Sequence, residues 1–166
     1  MKKLLRFSGI ISLALTIVGL ILLMTSYASV TSDGIGFDKG SSLIFGKSDG
    51  FITEKFSTMG FFTFGLALAA AFFLVLYVAL RLINKDKKRA FLSLVIAAPL
   101  LISGASIFFA LPKFYERNGY GSFASSGLKI GPGWILAAVL FFIAAAINIA
   151  NVIIDPDDNA KPAEAK

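Results

Sequence analysis

The side chains that most often carry chemistry are missing here: among 166 residues there is no histidine and no cysteine. That removes the commonest catalytic base and metal ligand, and with it thiolate zinc sites, iron–sulfur clusters, structural disulfides and a cysteine nucleophile. Gly46-Lys47-Ser48 ends like a phosphate-binding loop, but such a loop needs a glycine where Ser41 stands, and the nearest one, Gly40, is one place out. Gly119-Tyr120-Gly121 and Gly131-Pro132-Gly133 lack the strand–turn–helix setting of a dinucleotide site and read as turns. Asp155, Asp157 and Asp158 are not spaced as a calcium loop. No cofactor, nucleotide or metal is therefore expected.

What remains are two amides. Asn148 and Asn151 sit in an otherwise apolar run, three residues apart, on a helical face that also carries Ala144. They are expected to make polar contacts to a neighbouring helix, where an intramembrane amide contributes about 0.6–2 kcal/mol. An ion-conducting role for them is weakened because no Asp, Glu or Lys lies deep in any apolar run, and coupled transport ordinarily needs an ionisable group there.

The elements that position these residues follow from composition. The chain is 57% apolar and 16% charged, with a mean hydropathy of +0.80, which fits a bilayer better than water. A hydrocarbon core of about 30 Å takes roughly 20 helical residues to cross. Four runs meet that length: residues 7–29, 56–83, 90–111 and 133–154, with Arg81 as the one charge inside them. Pro112 is expected to stop the third run, Pro132 to open the fourth, and Pro99 to kink the third. Small residues should mark helix contacts: Ser8, Ser12 and Thr16 with Gly9 and Gly19 in the first run, Gly65 and Ala69 in the second, Ser93, Ala97 and Gly104 in the third, Gly133, Ala137 and Ala144 in the fourth. The expected fold is an all-α membrane protein, an antiparallel four-helix transmembrane bundle spanning residues 1–154, followed by a disordered tail over 155–166.

Charge sets the orientation. The N-terminus, the 81–89 connection and the tail hold 10 of the 16 basic residues, which places both termini in the cytoplasm of a plasma or cytoplasmic membrane. The same asymmetry accounts for the net charge of +6 without a nucleic-acid partner. Arg81, Lys85, Lys87, Lys88 and Arg89 form a basic cluster suited to anionic lipid headgroups. Met1 to Arg6 also resembles a signal n-region with small residues near Ala28, but the apolar stretch exceeds the usual roughly 7–15 residues, which favours a retained helix over a cleaved signal.

Two outer segments join the spans. In the first, Ser41–Phe45 and Phe51–Phe56 flank a glycine-rich turn and predict a short β-hairpin, which needs the second segment or a partner to lean on. Tyr27 and Trp134 are expected as headgroup anchors, as is Tyr77 at the opposite side, and Phe45, Phe51, Tyr115 and Tyr120 as outer-loop interaction residues.

This layout of cytoplasmic ends, a longer strand-bearing first outer loop, a short basic inner loop and a glycine-led fourth span resembles the small tetraspan class of claudins and peripheral myelin proteins. The resemblance is one of topology. Claudins carry a tryptophan and paired cysteines in the first outer loop, whereas here Trp134 is the only tryptophan and cysteine is absent, so no adhesion role carries over to any residue. The expected function is that of a non-enzymatic integral membrane protein, a structural or accessory component of a membrane assembly, meeting lipid and either another membrane protein or further copies of itself. The competing reading is a small oligomeric channel or transporter subunit with Asn148 and Asn151 near its pathway.

Overall fold

A computed structural model describes residues 2–48, 53–82 and 89–154. Its elements run α1 (Lys2–Thr25), β1 (Ser29–Val30), α2 (Gly40–Phe45), β2 (Lys47–Ser48), β3 (Thr53–Glu54), α3 (Thr58–Leu82), α4 (Arg89–Asn118), a 3-10 turn (Phe123–Ser125), β4 (Lys129–Ile130) and α5 (Pro132–Ile154). Four helices are long and apolar enough to cross a membrane. They close a ring in which α3 packs on α4, α4 on α5, α5 on α1 and α1 on α3.

The ring buries alanines beside large side chains such as Leu74, Ile96, Leu100, Ile107 and Phe141, and it turns further large apolar side chains outward. Ala67, Ala70, Ala97, Ala110, Ala137, Ala138, Ala144 and Ala145 are buried, while Phe72, Phe109, Leu94, Ile21 and Ile143 are exposed. The buried alanines suit association by close backbone approach. Gly19 shows the requirement: a Cβ there would fall 2.5 Å from the ring of Phe141 on α5. Gly65 and Ala69 do not follow their expected role. Both lie on the exposed side of α3, and the space beside Gly65 is open, because the contact face of this helix is set by Thr63, Ala67, Ala70 and Leu74.

Other boundaries shift for identifiable reasons. Pro112 does not stop α4, which runs on to Asn118. An internal proline costs about 3 kcal/mol, but the extra turns bury Phe114 and Tyr115 and bring Asn118 against Lys55. Pro132 is the first residue of α5, where its missing N–H is no loss. Helix α1 ends at Thr25, and the chain from Tyr27 is extended. Ser57 caps α3, its Oγ accepting from the Gly60 N–H at 3.1 Å while donating to the Ala110 carbonyl at 2.8 Å.

The predicted strand over Ser41–Phe45 is a helix. A strand would turn adjacent residues to opposite faces, whereas one helical turn lets Leu43 and Ile44 both seat, fully buried, on the end of the ring. A hairpin does follow, but it is shorter and later than expected, pairing Lys47 with Glu54 and Ser48 with Thr53. The residues of its turn, Phe51 included, lie outside the described residues, as do Lys85, Lys87, Lys88 and the 155–166 tail.

Candidate functional site

Two polar constructions stand out, one inside the ring and one closing its end. The first joins α1 to α5. Ser8 Oγ donates to Asn151 Oδ1 at 2.8 Å, and Asn148 Nδ2 donates to Ser12 Oγ at 3.0 Å. Ser12 Oγ in turn donates to the Ala144 carbonyl at 3.2 Å. The helical spacing that put the amides and Ala144 on one face thus brings them to the Ser8–Ser12–Thr16 stripe. Asn148 is fully buried. Asn148 Oδ1 and Asn151 Nδ2 have no hydrogen-bond partner, a complementary acceptor and donor one helical turn apart. A second link, Thr63 Oγ1 to Ser106 Oγ at 2.6 Å, ties α3 to α4.

The second construction is a cap built from both interhelical segments. β1 pairs antiparallel with β4, Ser29 opposite Ile130 and Val30 opposite Lys129. On its other side, Tyr27 bridges Lys39 and Val30 bridges Gly36. This puts Asp38 beside Ser29, whose Oγ donates to Asp38 Oδ2 at 2.7 Å, and the Tyr115 hydroxyl donates to the same oxygen at 3.0 Å. Asp38 is 7% exposed and its two donors are buried with it. Two neutral hydroxyls satisfy this carboxylate where no cation reaches it among the described residues.

Further clamps fasten the hairpin to the end of α4. The Asn118 amide accepts from the Lys55 N–H at 2.7 Å and donates to the Lys55 carbonyl at 2.9 Å, so one side chain serves as a strand neighbour. Tyr120 donates to Glu54 Oε1 at 2.8 Å, and this bond to a carboxylate raises the phenol above its ordinary pKa. Tyr115 contacts the Tyr120 and Phe123 rings edge-on, at 5.6 and 5.3 Å.

Several expected site residues take other places. Trp134, expected at the headgroups, is fully buried and donates its indole N–H to the Leu23 carbonyl at 3.2 Å, one of the carbonyls that the end of α1 leaves open. Tyr115, expected as an outer contact, is 4% exposed because it is committed to Asp38. Tyr77, expected at the opposite headgroups, is also 4% exposed, with its ring over Gly9. Tyr27, Phe45 and Tyr120 are exposed. Arg81 and Arg89 stand in the last turn of α3 and at the start of α4, and their side chains, like the rest of the basic cluster, lie outside the described ones.

Asp38, Ser29, Ser57 and Asn118 were not singled out from sequence. Only Ser57, a hydroxyl just ahead of an apolar helical run, gave a local signal, that of an N-cap. Ser29 and the Asp38 carboxylate it bonds are both buried, and among the described residues no group of three His, Cys, Asp or Glu could hold a metal ion. No family model, curated protein or solved structure matches the chain.

Proposed function

We propose that this chain is a non-enzymatic, multi-pass integral membrane protein, an antiparallel bundle of four transmembrane helices that serves as a structural or accessory component of a membrane assembly. Both termini lie in the cytoplasm and the cap faces outward, a reading supported by the excess of basic residues at the opposite end. The observation that carries the functional part is the cap itself. Segments far apart in the chain are locked by Asp38–Tyr115, Lys55–Asn118 and the β1–β4 pair into one ordered surface. Rigid, ordered surface of this kind suits binding at low entropic cost.

The bundle interior favours this reading over a pore. Asn148 and Asn151 hydrogen-bond to hydroxyls of α1, and the cap end of the ring is filled by Leu43, Ile44 and Trp134, all fully buried. A conducting path needs its amides against water. At the cap, the turn after β1 offers an open apolar surface, with Ile35 and Phe37 67% and 65% exposed.

The test is photocrosslinking in native membranes with a reactive residue at Phe37 and, separately, at Asn148. The expected result is capture of a distinct membrane protein from Phe37 and only intramolecular products from Asn148. Capture of further copies from Asn148, together with ion flux in liposomes, overturns it in favour of an oligomeric pore.

A further inference from the structure

At the cap end, the start of α3 and the end of α4 present an arginine that makes no ion pair among the described residues. The Arg117 guanidinium lies over the Phe56 ring, 4.5 Å from its centroid, and Nη1 donates to Thr58 Oγ1 at 2.8 Å. Among the described residues it makes no ion pair; the neighbouring Glu116 is taken by Lys113 at 2.7 Å. One hydroxyl and one ring face fix the plane of the guanidinium and leave most of its five N–H donors unused.

Below it runs a file of rings. Phe56 meets Phe61 at 5.7 Å, Phe61 meets Phe45 at 6.5 Å, and Phe45 meets Phe64 at 5.5 Å. Phe45, Phe61 and Phe62 are each about half exposed, and Phe56 is 37% exposed. The file starts at the cation, just ahead of α3, and descends along the first turns of that helix, whose later exposed residues, Leu68, Phe72 and Val75, are apolar without interruption. A cation with free donors above an exposed apolar shelf is complementary to an anionic headgroup joined to an acyl chain, which a phospholipid supplies.

We infer that Arg117, Phe56, Phe61 and Phe45 form a binding site for a phospholipid, with the guanidinium on the phosphate and the glycerol and upper acyl chain along the rings. The proposal rests on the reading of the four helices as membrane-spanning. A planar fork recognises phosphate bidentately, and aromatic rings suit the level of the ester groups. An anionic headgroup is preferred over a choline one, because the choline cation opposes Arg117. Phe45 is accordingly a lipid contact rather than a protein contact.

The experiment reconstitutes the full chain carrying Phe45→Trp in phosphatidylcholine vesicles that contain increasing brominated phosphatidylglycerol, with the emission of Trp134 in the unmodified chain subtracted. Quenching is expected to saturate at low mole fraction. Arg117→Gln should raise the half-quenching fraction about fivefold, and Arg117→Lys should restore part of the loss. Free inorganic phosphate should not compete; competition by it, or the same half-quenching fraction in Arg117→Gln and its parent, overturns the site. Phe56→Leu, which removes only the ring under the guanidinium, should weaken the preference as well, and equal preference in that variant also counts against it. Phe72→Trp separates the two levels of the argument: a Trp there that no brominated lipid quenches means that the membrane reading itself is wrong.

Discussion

The carboxylate of Asp38 and the hydroxyl of Tyr115, 77 positions apart in the chain, meet at 3.0 Å in the buried centre of the cap. The contact joins the first interhelical segment to the end of α4, and Ser29 completes it from β1. Asp38→Ala leaves two buried hydroxyls without an acceptor, and unsatisfied buried groups cost about 1–3 kcal/mol each. Tyr115→Phe removes one donor and keeps the ring packing, so it should cost less. Equilibrium unfolding in detergent micelles, followed by near-UV circular dichroism, should rank the variants in that order; equal stability of Asp38→Ala and the parent means that the cap does not depend on this cluster.

The Tyr120–Glu54 bond makes the cap sensitive to alkali. The phenol is held above its ordinary value of about 10, first by its bond to the Glu54 carboxylate and then by burial. A folded pKa raised above the unfolded one gives stability that is complete below the unfolded value and is lost as pH climbs through the folded one. In ultraviolet difference titration, the phenolate signal missing from Tyr120→Phe should therefore appear late, and Glu54→Gln should bring it earlier. An unchanged midpoint in Glu54→Gln removes the carboxylate as the cause.

Inside the ring, a double-mutant cycle on Ser12→Ala and Asn148→Leu should return a coupling of about 0.6–2 kcal/mol, the usual range for a hydrogen bond between helices in a membrane. Asn148→Leu alone should cost little, because it also removes Oδ1, which has no partner. Ser12→Ala should cost more, since it strands Nδ2. The opposite order of the two single variants contradicts this assignment of the amide.

How far the sequence could be read depended on whether a feature was local. Four helices followed from run length alone, and the α1–α5 seam from residues three and four apart, because helical periodicity turns spacing into a shared face. Asp38 left no such trace: its partners Ser29 and Tyr115 lie 9 and 77 positions away, and only the folded cap brings them together. Trp134 misled for a related reason. An aromatic at a helix start near the membrane boundary reads as a headgroup anchor, yet the end of α1 supplied an open carbonyl that made burial of the indole N–H favourable. Pro112 misled because its local cost is smaller than what Phe114, Tyr115 and Asn118 gain once α4 continues.

Glycine substitutions separate close approach from mere composition. A Cβ at Gly40 would overlap the Leu23 carbonyl oxygen and come within 2.7 Å of Trp134 Nε1, so Gly40→Ala must push α2 off the end of the ring. At Gly65 the surroundings are open, and alanine is the better helix former by about 1 kcal/mol. Gly65→Ala should therefore be neutral or stabilising, while Gly40→Ala should lower the unfolding midpoint and shift the emission of Trp134, the only tryptophan in the chain, to the red as its indole loses its dry seat. If the two variants unfold together with unchanged emission, then α2 does not close the end of the bundle, and a filled cap no longer stands against a conducting path.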